Sequence, residues 1–200
     1  MKNIARPEGN VTGFSSSEST AGGKWLELLK QAAPHVTRAA IVFNPNVAAA
    51  APGYLTTIEP AARALSVQTV QMPFHDAVEL VHSIDAFAAE PNGSILMLPP
   101  PSMPDRPTLL KLAALHRLPA IYPQRVIAVE GGLMSYGADV LDQNRRAASY
   151  VDRILRGAKV ADLPVQFPTK YQLVVNMKTA KAIGLAIPEG FLLHADELLE

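Results

Sequence analysis

Cysteine is absent from the 200 residues. That excludes disulfides, thiolate metal sites and cysteine nucleophiles. An excess of either charge is lacking too: 18 Lys and Arg balance 18 Asp and Glu, for a formal net charge of zero. With no global field and no strongly basic run, nucleic acid and anionic membrane are not expected as partners. The five histidines never fall at His-x-x-x-His or a similar spacing, so no metal site is expected. No Gly-x-Gly-x-x-Gly, Walker-type loop or Gly-x-Ser-x-Gly occurs. The usual grounds for an enzyme are therefore missing, and no catalytic residue or cofactor is expected. No window holds about 18 uninterrupted apolar residues, so no membrane span is expected. The first ten residues carry two cations but no apolar h-region. They do not read as a secretory signal, and the chain as it stands is expected in the cytosol.

What is present is a core and a rhythm. An apolar content of 48% supports a sizeable interior, and 200 residues suit one large α/β domain, or one domain with part of another. Residues 7–23 are dense in Pro, Gly, Ser and Thr and read as loop. Trp25, Leu28, Leu29 and Ala32 then recur at helical spacing until Pro34. Short apolar runs follow at Ala39–Phe43, Val67–Met72, Ser94–Leu98 and Ala120–Tyr122, separated by helical patterns at 51–65, 77–90 and 105–117. Four strands alternating with three helices predict right-handed crossovers and a parallel, doubly wound sheet covered on both faces.

The rhythm breaks between Leu118 and Asp139. A fifth strand, Leu133–Tyr136, follows Tyr122 with almost no room for a crossover helix. The expectation is that the chain leaves the first sheet there, at a hinge, and that strand 133–136 and a helix over 140–156 belong elsewhere. Residues 158–168 read as linker, Tyr171–Val175 as a strand and 177–183 as a short helix. The tail from Ile187 reads as loop.

Several adjoining stretches resemble one family. They are Gly9-Asn10-Val11-Thr12-Gly13-Phe14, Gly-Gly-Lys-Trp-Leu-Glu-Leu-Leu-Lys at 22–30 and Ala-Ile-Val-Phe-Asn-Pro at 40–45. They continue with Gly-Gly-Leu-Met-Ser-Tyr-Gly-Ala-Asp at 131–139, Arg-Arg-Ala-Ala-Ser-Tyr-Val-Asp-Arg-Ile-Leu-Arg-Gly at 145–157 and Leu-Val-Val-Asn-Met-Lys-Thr-Ala-Lys-Ala-Ile-Gly-Leu at 173–185. In this order they are similar to the C-terminal portion of an ABC transporter substrate-binding protein of the type I, two-lobed periplasmic fold. The resemblance implies a second lobe plus a partial first-lobe segment, without the signal peptide and most of the first lobe. It implies four stretches: 1–23 crossing into the second lobe, 24–126 the second lobe, 127–163 the hinge return with a partial first-lobe strand and helix, and 164–200 a final crossing and tail. It further implies a small-molecule solute, in some members an aromatic amino acid, held between lobes without bond-making. An ABC permease is the implied partner, with a periplasmic home for the intact family. Self-association through the uncovered first-lobe segment is a further expectation.

In open parallel sheets ligands bind outside the carboxyl ends of the strands. That nominates Asn44 and Asn46, either as an ordinary turn with an Asn cap or as backbone N–H groups holding a carboxylate. It nominates Phe74 and Asp76, with Asp76 read either as a helix cap or as a ligand contact. Pro100 and Ser102 lie in a stiff loop that either walls a pocket or only rigidifies the chain. Tyr136 reads as core or as an apolar cover, and Asp139 as an N-cap or an ammonium partner. Ser15 and Ser16 offer hydroxyl donors or simply solvate a loop. Two other functional classes stay open: a flavodoxin-like α/β enzyme, which needs a phosphate site or nucleophile–base pair, and a ligand-sensing domain of a regulator.

Overall fold

The computed structural model describes residues 5, 7, 9–16, 18–99 and 105–200. They divide into two units, between which the chain passes after Glu18, Gly137 and Tyr171.

The larger unit, Ser19–Gly137 with Gln172–Glu200, is built on a sheet. Its strands are β1 Arg38–Phe43, β2 Gln68–Pro73, β3 Gly93–Met97, β4 Ala120–Tyr122, β5 Met134–Ala138, β6 Tyr171–Asn176 and β7 Glu197–Leu199, in the order β2-β1-β3-β4-β5-β6-β7. The pairs β1–β2, β1–β3, β3–β4, β4–β5 and β6–β7 are all parallel. The continuous apolar runs follow from burial on both faces. Ala39, Ile41 and Phe43 point to one core cluster, Ala40 and Val42 to the other. Helices α1 Ala21–Ala32 and α2 Ala51–Ala64 cover the first face. Helices α3 Ala77–Ala88, α4 Arg106–Leu115 and α5 Arg125–Val129 cover the second. Gly22 lets α1 lie against α2: a Cβ there would meet Thr57 Oγ1 at 2.6 Å and the Tyr54 carbonyl oxygen at 2.9 Å.

Strand Leu133–Tyr136 does not leave this sheet. It is β5, with Ile121 beside Met134 and Tyr122 beside Ser135. Leu133 and Met134 are buried in the first core cluster. The sequence expectation failed because α5 spans only five residues, too short for the periodicity that reveals a helix. The tail is also not loop. After helix α7 Met177–Ala182 it forms α8 Glu189–Leu192 and β7, and the Asp196 carboxylate accepts the Leu173 N–H at 2.7 Å. The break therefore falls at Gly137, not at 127, and residues 172–200 belong with the main sheet.

The smaller unit holds the described residues up to Glu18 and Ala138–Tyr171. Helix α6, Val140–Leu155, is its main element, followed by a 3-10 turn at Val160–Asp162. Phe14 and Gln166 form a parallel bridge. The Tyr150 ring lies 4.9 Å from the Phe14 ring, and its hydroxyl donates to Pro164 O at 2.8 Å while accepting from Gln166 Nε2 at 3.0 Å. Arg146 covers the same Phe14 ring at 5.4 Å and donates to Thr169 Oγ1 at 2.8 Å. Short backbone segments with little apolar content are thus held by one aromatic pair and a polar net.

Candidate functional site

Strand order changes direction at β1: the chain steps out to β2, then returns past β1 to β3. A crevice for a ligand is expected outside the carboxyl ends of the strands flanking such a switch point. In the larger unit these are the residues after Phe43 and after Met97. Asn44 is buried, whereas Pro45, Asn46 and Val47 are exposed. Pro100 and Ser102 fall outside the described residues.

The turn after β1 consumes its own donors. Asn44 Oδ1 accepts the Asn46 N–H at 2.9 Å, and the Asn44 carbonyl accepts from the Val47 and Ala48 N–H groups at 3.2 and 2.9 Å. These three amides are not offered to a carboxylate, and α2 begins only at Ala51. The expected anion cradle is corrected on that ground. What remains for a solute is the outer rim: the Asn46 amide side chain and the exposed Val47.

Phe74 is corrected as well. It is fully buried among the second core cluster and presents no surface to a solute. Asp76 is the N-cap of α3, with Oδ1 accepting the Glu79 N–H at 2.9 Å. Tyr136 packs half-buried against the first core cluster. Its carbonyl accepts from Trp25 Nε1 at 2.6 Å, and burial raises its phenol pKa. Trp25 itself is buried and stacks on Tyr54 with centroids 5.1 Å apart, so it braces the core.

Ser15, Ser16 and Asp139 lie in the smaller unit. The Ser15 backbone pairs with Gln166 O at 2.8 Å, and its carbonyl accepts from Gln143 Nε2 at 2.5 Å; Ser16 is exposed. Asp139 caps α6 by accepting the Asp142 N–H at 3.0 Å and pairs with Lys170 Nζ at 2.9 Å. The cap bond first, and Lys170 second, hold its carboxyl below the usual range. A depressed carboxyl contributes stability above its unfolded pKa and loses it as pH falls through the folded one. Acid unfolding monitored by circular dichroism is therefore expected to show a shallower acid limb below about pH 4 for Asp139→Asn than for the parent. Superimposable limbs would remove Asp139 from the acid response.

Sequence reasoning missed one ionic feature of the larger unit. Arg125, at the start of α5, binds Glu197 of β7 through two hydrogen bonds of 2.7 and 2.6 Å. That pairing lowers the Glu197 pKa and raises that of Arg125. Seventy-two residues separate the partners, so no local pattern announces them. Two hydroxyls on paired residues, Tyr122 of β4 and Ser135 of β5, are buried with no hydrogen-bond partner among the described residues. Burial pushes the Tyr122 phenol pKa up, which makes it a poor acid at neutral pH. Among the described residues no three His, Asp or Glu side chains gather as a metal site would require, and no helix is long and apolar enough to cross a membrane.

Residues 1–199 match a family profile described as ABC transporter substrate binding protein. The chain is 22% identical over 187 residues to the tyrosine-binding protein of Clostridioides difficile (strain R20291), covering 92% of this chain and 53% of that protein. A conserved domain protein from Vibrio cholerae matches with a TM-score of 0.85 and 25% identity, over 98% of this chain and 66% of that one. An ABC domain in complex with L-Trp from Streptococcus pneumonia matches with a TM-score of 0.85 and 22% identity, over 99% of this chain and 66% of that one. The chain thus spans about half the length of the curated relative. The architecture is that of type I periplasmic binding proteins.

Proposed function

The chain belongs to the ABC transporter substrate binding protein family, and from that premise we propose that it supplies one wall of a solute site for an ABC importer. The wall is the carboxyl edge of the larger unit's sheet, centred on the loops after β1 and β3. The observation that carries this is the switch point at β1: among the described residues, it is where two adjacent strands, β1 and β3, are followed by strands on opposite sides of the sheet. The solute class is a free amino acid, a reading supported by two relatives named for tyrosine and L-Trp. The smaller unit is read as a first-lobe segment, the partner as an ABC permease, and the working location as outside the cytoplasmic membrane. Discrimination rests on differential affinity for a closed state rather than on bond-making.

An open sheet edge encloses a ligand from one side only, whereas tight pockets bury most of the ligand's surface. The 200-residue chain is therefore expected to bind free amino acids weakly, with Kd on the order of millimolar. Titration with tyrosine, tryptophan and a panel of other amino acids, followed by amide chemical shifts, is the test. Shifts confined to Asn44–Ala48 and the residues after Met97 are expected. Shifts elsewhere, or none at tens of millimolar, would sink the assignment, and micromolar affinity by calorimetry would overturn the one-wall argument.

A further inference from the structure

The turn between α3 and β3 answers to two separate constraints. Asn92 is exposed and holds φ at +59°, in the left-handed region that asparagine tolerates better than other residues with a side chain. Gly93 is buried, and the space a side chain would need is taken. A Cβ there would meet Phe87 Cε1 at 2.7 Å and Leu118 Cδ2 at 3.3 Å. Packing under α3 therefore demands glycine at 93, and the turn demands a left-handed residue at 92. Together they put an Asn-Gly pair at the start of β3. The pair occurs nowhere else in the chain: the other six asparagines precede Ile4, Val11, Pro45, Val47, Arg145 and Met177.

Main-chain pairing fixes where the Gly93 nitrogen faces. The Asn92 carbonyl accepts from the Thr37 and Arg38 N–H groups at 3.0 and 3.2 Å. In a parallel ladder Arg38 then bonds the residues on either side of its partner Gly93, whose own N–H turns away from β1. On that other side, pairing with β4 begins only at Ile95, opposite Ala120.

We propose that Asn92 is a site of spontaneous deamidation, its side-chain amide lost to attack by the Gly93 main-chain nitrogen. That nitrogen gives its proton to solvent base and bonds to Cγ of Asn92. The side-chain nitrogen takes a proton and leaves as ammonia, and a five-membered imide closes on the main chain. Water then opens the imide at either carbonyl. One opening gives aspartate. The other gives isoaspartate, in which the chain runs on through Cγ. The bare α-carbon that Phe87 imposes at 93 is also what leaves the attacking nitrogen unhindered. The position gives the reaction a consequence. In the isoaspartyl chain the carbonyl that accepts from Thr37 and Arg38 becomes a pendant carboxylate, and one extra carbon enters the main chain. The β1–β3 ladder is then broken at its first bond. Strand β1 is six residues, about 20 Å, long, so the loop after it lies at the far end from the change. Nothing here rests on the solute reading.

Ageing the folded 200-residue chain at neutral and at alkaline pH tests it, with peptide mass spectrometry and enzymatic methylation of isoaspartate as readouts. Asn92 is expected to convert first among the seven asparagines, faster at the higher pH, and to yield both isomers. Asn92→Gly keeps the positive φ and removes the amide, so it is expected to gain no isoaspartate there. The urea midpoint of the aged parent is expected to fall, and that of aged Asn92→Gly to hold. The mass-spectrometric result comes from the parent alone, so it decides the matter whether or not Asn92→Gly folds. An Asn92 still intact when another asparagine has converted overturns the proposal. Aspartate without isoaspartate overturns the imide route. Conversion with an unchanged urea midpoint overturns the consequence for the β1–β3 ladder.

Discussion

Truncating Phe74 to alanine is expected to lower the stability of the larger unit by about 3–5 kcal/mol. The ring is fully buried among Met72, Leu80, Ile84 and their neighbours. It follows β2 directly, and its N–H donates to the Phe43 carbonyl at 3.1 Å. Removing it leaves a cavity beneath α3 that backbone hydrogen bonding on both sides prevents from closing. Against a typical domain stability of about 5–15 kcal/mol, the loss is large enough to move a urea midpoint far outside error. The amide shifts induced by amino acids at the β1 and β3 loops are expected to persist below that midpoint. A loss under about 1 kcal/mol would mean the ring is not core, and would return Phe74 to the solute site.

The main sheet was largely legible because its strands are buried on both faces. A run such as Ala-Ala-Ile-Val-Phe has no alternation to misread, and the helices between carry ten or more residues of period. The expected strands at Ala39, Val67, Ser94 and Ala120 are found within one or two residues. What failed was short. Helix α5 has five residues and α8 four, and β7 three. Such elements are held by tertiary contacts, the Arg125–Glu197 pair and the Asp196 side chain among them, rather than by local propensity. Reading α5 as a bare bridge moved β5 out of its sheet, and the inferred division of the chain moved with it.

Where to look for a site follows from topology alone, whereas the role of each group there does not. The rule that loops after parallel strands carry function needs only strand order and direction, both of which the sequence pattern supplies. Whether a given polar group faces a solute or its own backbone depends on turn geometry. Asn44 closes its turn on itself, Asp76 and Asp139 cap helices, and all three show the sequence signature of a ligand group as well as that of a cap. Phe74 failed for a different reason: an aromatic after a strand reads the same whether its ring turns inward or outward.

Gly137→Ala is expected to cost roughly 3 kcal/mol and to displace the loop after β4. A Cβ at this position would lie far inside contact distance of the Pro123 carbonyl oxygen and only 3.0 Å from the Pro123 carbonyl carbon. The obstacle is backbone, so no side chain swings away to relieve it. Nor is that backbone free to move. It leads into α5, which is fixed by the Gly132 N–H on Ile127 O at 2.9 Å, by Asn176 Nδ2 on Ala128 O at 2.9 Å, and by Arg125 on Glu197. Overpacking a site so held costs about 1–3 kcal/mol, occasionally more. Gly190 is the matched control. Nothing lies within 4 Å of its missing Cβ, and it sits inside α8. Gly190→Ala is expected to be neutral or to stabilise by up to about 1 kcal/mol. Urea unfolding of both variants gives the comparison, and amide exchange over Pro123–Val129 reports where the strain goes. Equal stabilities for the two variants, with unchanged exchange after β4, would show that the close approach of β5 to the Pro123 loop does not hold in solution. The carboxyl edge would then be more open at β4 and β5 than its backbone packing requires.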